Sequence, residues 1–299
     1  SYGDSEIAQN SAKSIIDNVT SASSTVDAAK AVITTAFDGI FPGVSVDLTP
    51  NADTIELTRG SDTVTGVVLE LSIGDTIIDP STTDADVLNV ELIENIASNV
   101  TVTNIETVVL DALSGVRELR VTNWDGVQTY QVIGEGDVIL TDVQTTEPSY
   151  EFNGTVGTNI TVGINDLATT GLADEISVEM SNGVAGGTFT LTPATTVETI
   201  RMISNGTAEN VITDVVGTNV RTLIVEGEAA FKNANAFAGT ITTIDARYVS
   251  TADIHSAGAT TILTGAGNDL ITLNRDSALL NNSAIVMGAG TDSLHLMNS

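Results

Sequence analysis

The sequence predicts a mainly β chain wound as a parallel β-solenoid (β-helix- or β-roll-like), with irregular β-sandwich parts and a short helical segment at its N-terminus. Three observations carry this prediction. A strand phrase returns about every twenty residues, the apolar stock is almost free of aromatics, and helical periodicity is confined to the first forty or so residues.

In the first segment, residues 1–43, Ile7, Ala8, Ala12, Ile15, Ile16 and Val19 recur at three- and four-residue steps, the mark of an amphipathic helix. Ser23, Ser24 and Thr25 supply a loop and an N-cap, and Asp27 suits the first turn that follows. Val26, Ala29, Val32, Ile33, Ala36 and Phe37 form a second stripe, closed by Gly39 and Pro42. This segment reads as the end of a helical domain that begins upstream. The chain opens Ser1-Tyr2-Gly3 without an initiator Met or an apolar leader, so it is expected to start inside a longer polypeptide.

Residues 44–184 read as a β domain. Asp53-Thr54-Ile55-Glu56-Leu57, Val87 to Leu92, Val100 to Thr103 and Ile176 to Met180 alternate with period two, as strands with one buried face do. β-Sandwich parts are expected between Leu71 and Val184. Residues 185–299 read as solenoid, because Val197-Glu198-Thr199-Ile200 returns as Val220-Arg221-Thr222-Leu223 and Ile241-Thr242-Thr243-Ile244. Thr260 to Leu263 and Ala284 to Met287 continue the series. Ile105-Glu106-Thr107-Val108 is an earlier copy, with Val116 to Leu119 close behind. Phe231 to Phe237 and Ser277 to Leu280 are each expected to form a turn of helix.

The composition narrows the function. Apolar residues make up 41% of the chain and aromatics only 4%, so small β-branched side chains must build the core. Ten basic residues face 39 acidic ones, a formal charge of −29. That balance excludes nucleic acid, which needs clustered Lys and Arg, and disfavours unaided docking to anionic lipid. Acids at this density either sit solvated on the surface or attract divalent cations. Cysteine is absent, so neither disulfides nor thiolate metal sites exist. No run of 18 apolar residues is present, so no membrane insertion is expected.

Two C-terminal phrases stand out: Thr264-Gly265-Ala266-Gly267-Asn268-Asp269-Leu270-Ile271 and Met287-Gly288-Ala289-Gly290-Thr291-Asp292-Ser293-Leu294. Both fit G-x-G-x-D-x-U, where U is a large apolar residue, the core of the calcium-binding nonapeptide repeat. Glycines open the turn and expose backbone carbonyls, and the Asp carboxylate completes an all-oxygen shell suited to Ca2+. A second trace pairs Asn51-Ala52-Asp53-Thr54-Ile55 with Gly60-Ser61-Asp62-Thr63-Val64, the Asp-Thr-apolar unit returning after nine residues. Weaker echoes lie at Gly74-Asp75, Asp84-Ala85-Asp86, Gly136-Asp137 and Ala173-Asp174, where an Asp that merely caps a turn is the simpler reading.

These phrases resemble the calcium-dependent surface-layer (S-layer) proteins of Gram-negative bacteria, of the Caulobacter and Campylobacter kind, and the wider RTX group of type I secreted proteins. Leu57-Thr58-Arg59-Gly60-Ser61-Asp62-Thr63-Val64-Thr65-Gly66 is similar to the family's LTTGxDTxTG. Asp84 to Val90 is similar to its GTDTLNV, and Val102-Thr103-Asn104-Ile105-Glu106-Thr107-Val108 to its VTNIETV. The resemblance implies type I export, calcium-driven folding outside the cell, and self-assembly into a two-dimensional lattice. It also implies attachment to lipopolysaccharide through the N-terminal or an upstream region. Calcium roles carried over fall on Gly265, Gly267, Asp269, Gly288, Gly290 and Asp292, and on Gly60 and Asp62. Asn268 and Asp53, in the same phrases, complete the candidate metal set. The two C-terminal phrases are separated by 23 residues, and Thr264 and Met287 replace the first glycine of each. Sparse sites between turns are therefore expected, not a continuous calcium ladder.

A structural, non-enzymatic role is expected. Only His255 and His295 are present, without H-E-x-x-H, and no G-x-S-x-G or phosphate loop occurs. Asp84 with Asp86 and Trp124 with Tyr130 are the elements a glycosidase would draw on, but chance pairs are common in so acidic a chain. The alternative function is a calcium-dependent adhesin segment that grips a host or neighbouring cell. Asn153, in Glu151-Phe152-Asn153-Gly154-Thr155, fits the extended bacterial N-glycosylation pattern.

Overall fold

A computed structural model describes residues 42–67, 70–96, 99–165, 168–169, 171, 173–192, 195–274 and 283–297. Residues 1–41 of the expected helical segment, and the helical turn expected over 277–280, lie outside the described residues. Among the described residues there is no helix.

Alternation of Val, Ile and Leu with Thr, Asn and Asp gives strands that bury every second side chain, as Val87–Leu92 and Thr107–Ala112 do. Such strands stack in one long, twelve-stranded parallel sheet that begins with Ser45–Asp47 and ends with Ala284–Ala289. Three shorter parallel sheets of four, five and five strands carry the return side of the turns. They succeed one another along the axis and overlap where one turn feeds two of them. Val116–Arg120 with Trp124–Asp125 is one such place, and Asn210–Ile212 with Asp214–Val216 another. The protein is a parallel β-solenoid of about eleven turns.

The recurring phrase sets the register. Ile200 pairs with Leu223, Leu223 with Ile244, Ile244 with Ile262 and Ile262 with Ile285. The first four are fully buried, so each turn places one branched aliphatic side chain directly over the last. Ile105 to Val108 leads into the long sheet and Val116 to Leu119 into a return sheet, which explains their close spacing.

Two expectations are corrected. Among its described residues, the segment between Leu71 and Val184 has no β-sandwich part. Its long-sheet strands pair in parallel with those before and after, because their buried columns continue unbroken through Leu88, Val108, Tyr130, Tyr150 and Val178. Phe231 to Phe237 is not a helical turn. Phe231–Asn233 is a return strand and Phe237 bridges to Ser256, so both rings enter the core from extended backbone.

Four of the few aromatics stack along the axis. Trp124 and Tyr130 lie 6.2 Å apart between ring centroids, Tyr130 and Tyr150 5.9 Å, and Tyr150 and Phe189 5.7 Å. Trp124 and Tyr130 are buried, and they direct their ring faces at one another.

Candidate metal centre

Every turn must pass from a return strand into the long sheet, and the residue before the long-sheet strand sits at that corner. Asp62, Asp86 and Glu106 occupy it in three successive turns, ahead of Thr63–Gly66, Val87–Leu92 and Thr107–Ala112. The Asp62 N–H donates to Asp86 Oδ1 at 2.7 Å, and the Asp86 N–H donates to Glu106 Oε2 at 2.9 Å. A carboxylate thus accepts the corner N–H of the turn before it, replacing a ladder hydrogen bond that the corner interrupts.

The corner entering the return strands uses the same device. Asp53 N–H donates to Asp75 Oδ1 at 2.8 Å, Ala252 N–H to Asp269 Oδ1 at 2.9 Å, and Asp269 N–H to Asp292 Oδ1 at 3.1 Å. The nine-residue step from Asp53 to Asp62 is therefore the walk from one corner to the next. That walk is half of the 18-residue turn that pairs Ser45 with Thr63.

The predicted residues fall into two separate groups. At one end of the solenoid, Asp62 takes the N–H groups of Val44 and Thr58, both at 2.6 Å, while Gly60 lies in the tight turn between Thr58 and Asp62. Asp53 is one corner away and takes the Thr49 N–H. Toward the other end, Gly265, Gly267, Gly288 and Gly290 stack in adjacent turns. A Cβ on Gly288 would lie 1.8 Å from the Gly265 carbonyl oxygen, and one on Gly290 would lie 1.7 Å from that of Gly267. Gly267 and Gly290 also hold φ of +140° and +148°, where a side chain is strained. Asn268 Oδ1 accepts the Thr291 N–H at 2.8 Å. Asp269 is buried, and its Oδ2 has no hydrogen-bond partner.

Three of the weaker echoes are spent on hydrogen bonds within a turn or to a neighbouring turn. Asp75 accepts the N–H groups of Asp53 and Ser72, Asp137 those of the Asn159 backbone and side chain, and Asp174 that of Gly171.

The fourth echo, Asp84 and Asp86, belongs to something larger. The loop from Asp79 to Asp86 folds over the corner and brings its carboxylates to Asp62 and Glu106. Asp62, Asp79 and Asp86 each place a carboxylate oxygen within 4.8 Å of the others', and so do Asp84, Asp86 and Glu106. Asp62 and Asp79 are 1% exposed and Asp86 is 0%. Asp79 is held by the Ser81 N–H on one oxygen and by its own N–H to the Thr103 carbonyl.

The electrostatics are severe. Burial pushes the Asp86 carboxyl up to about 7, and Asp79, Asp84 and Asp62 add to the rise. Burial likewise pushes Asp79 up to about 6, helped by Asp84, Asp62 and Glu106. No ion pair among the described residues involves any of the five. Asp79 and Glu106 escaped the sequence reading as metal ligands because Asp79 stands in no repeated phrase and Glu106 stands in one read as strand. The usable signal was Asp62, Asp86 and Glu106 recurring just before strands.

Beside Glu106 opens a cavity of about 240 Å³, lined by Asn104, Glu106, Trp124, Gln128, Tyr130 and Glu147 among others. Asn104 links the cavity wall to the acidic loop, its Nδ2 donating to the Asp79 carbonyl at 3.0 Å.

The fold and these corners define an acidic parallel β-solenoid with carboxylates stacked between turns. No protein-family model matches the sequence, and no curated protein matches it.

Proposed function

We propose that this chain is a calcium-binding structural segment of a bacterial surface layer, exported from the cell and assembling with copies of itself into a two-dimensional lattice. The observation that carries the reading is the stacking of carboxylates on successive turns, Asp62 on Asp86 and Asp269 on Asp292, in a chain of formal charge −29. Stacked anions repel unless a counter-ion joins them, and an all-oxygen donor set favours a hard divalent cation such as Ca2+.

The lattice part draws on the resemblance of the Leu57 to Gly66 and Val102 to Val108 phrases to calcium-dependent S-layer proteins. It also draws on the regular winding, which offers a repeating flank to a neighbouring copy. Anchorage to lipopolysaccharide through the N-terminal or an upstream region belongs to the same proposal. The role is structural: the acidic residues hold turns together and do not act on a substrate.

Electron microscopy of the purified chain tests this. Ordered sheets are expected with millimolar calcium and are expected to dissolve in chelator. Dispersed particles that bind a cell surface in calcium would favour the adhesin role and remove the lattice.

A further inference from the structure

We infer that Asp62, Asp79, Asp84, Asp86 and Glu106 form a buried site for a calcium-class divalent cation that clips three successive turns together, with Asp86 shared between its two halves. The inference deepens the calcium part of the proposed function and does not depend on lattice assembly.

The site is more than an acidic patch. Asp79 Oδ1 and Asp86 Oδ2 are buried oxygens without a hydrogen-bond partner, on side chains 1% and 0% exposed. Both oxygens of Asp84 are also buried and without a partner. An ionised oxygen removed from water and left unpaired is costly, and a neighbouring carboxylate makes it worse. A proton would quiet one oxygen at a time, whereas one cation satisfies several together.

The remaining oxygens explain why the cluster holds its shape. Asp62 is fixed by the Val44 and Thr58 N–H groups, Asp86 by that of Asp62, Glu106 by that of Asp86 and Asp79 by that of Ser81. Each of these four carboxylates therefore spends oxygen on backbone, and Asp79 and Asp86 keep the other oxygen for the centre. Ca–O distances of about 2.3–2.6 Å let opposed ligands sit up to about 5 Å apart, which suits oxygens gathered within 4.8 Å. With no nitrogen or sulfur donor in the set, soft and borderline metals are disfavoured. Calcium tolerates the irregular, carboxylate-rich geometry better than magnesium, which demands a near-ideal octahedron and keeps its waters.

Terbium, a luminescent calcium mimic, reads this site in the full chain. Trp124 is the sole tryptophan and shares the cavity wall with Glu106. Asp269 follows Thr261–Ala266, six long-sheet steps beyond the Thr129–Gly134 strand next to Trp124. At about 4.8 Å per step that is about 29 Å, so terbium emission excited through tryptophan reports the cluster and not the C-terminal turns.

Wild-type protein should give tryptophan-sensitised emission that calcium competes away. Asp86→Asn keeps an acceptor for the Asp62 N–H but should weaken terbium at least about tenfold. Asp79→Asn should do the same, and Asp269→Asn should leave the signal unchanged. In chelator both cluster variants should melt no lower than wild type, so that weakened terbium binding reports lost ligands and not lost folding. Absence of sensitised emission from folded wild type, or undiminished emission from both cluster variants, overturns the site. Terbium binding without calcium-dependent sheets would remove the lattice and leave the site standing.

Discussion

The backbone N–H of Asp62 meets Oδ1 of Asp86 across one turn of the solenoid, 24 residues further along the chain. One carboxylate therefore closes a gap in the ladder and faces other carboxylates. The two duties separate by substitution. In chelator, Asp86→Ala strands a buried donor and should cost about 1–3 kcal/mol, whereas Asp86→Asn should cost nothing. Urea titration of both variants without metal decides it.

Acidity should act oppositely on the two forms of the protein. The Asp79 and Asp86 carboxyls are raised to about 6 and about 7 by burial, so the folded chain keeps their protons to higher pH than the unfolded chain does. In chelator their contribution to stability is present in acid and lost as pH rises through those values. Protons also compete with the cation. The calcium-induced rise in melting temperature should therefore be larger at about pH 8 than at about pH 5, checked by calorimetry with calcium and with chelator.

Gly267→Ala should loosen the C-terminal turns. Its φ is +140° and the new Cβ would lie 2.4 Å from the Ser250 carbonyl oxygen, so the turns must part by an ångström or so. A loss of more than about 1 kcal/mol is expected. Hydrogen exchange should quicken over Thr261–Ala266 and Leu270–Asn274 while the turns around Val108 stay protected.

Tyr150→Phe should stabilise the protein. The ring is fully buried between Tyr130 and Phe189, yet its hydroxyl has no hydrogen-bond partner. Burial also holds that hydroxyl's pKa well above the usual tyrosine value. Removing the oxygen keeps the stack and relieves the unpaired group, a gain of about 1 kcal/mol by urea denaturation.

The solenoid was legible because inward aliphatic residues must recur once per turn, and the Ile200, Leu223, Ile244 series does so without interruption. The middle of the chain hid the same winding. Its turns vary in length, and Tyr130, Tyr150 and Phe152 replace the expected aliphatics. The nine-residue Asp doublet was visible, but its meaning as two corners of one turn needed the pairing of Ser45 with Thr63. The acidic cluster was half legible. Asp62, Asp86 and Glu106 stand in recognisable phrases, while Asp79 does not, and a linear pattern has no term for a loop folding back over a corner. The stretch Phe231 to Phe237 was expected as a turn of helix, but a return strand and a bridge place both rings in the core.

Turn length runs from the 18 residues between Ser45 and Thr63 to the 28 between Ser149 and Ser177, yet both pairs sit in unbroken parallel register. The rise along the axis is fixed by backbone pairing, so added chain has nowhere to go but outward. Such a scaffold can acquire or shed whole excursions on its flank without disturbing its spine. A tag or foreign epitope spliced into the longest turn, beside the exposed Gly171, should therefore be displayed by an otherwise unchanged rod.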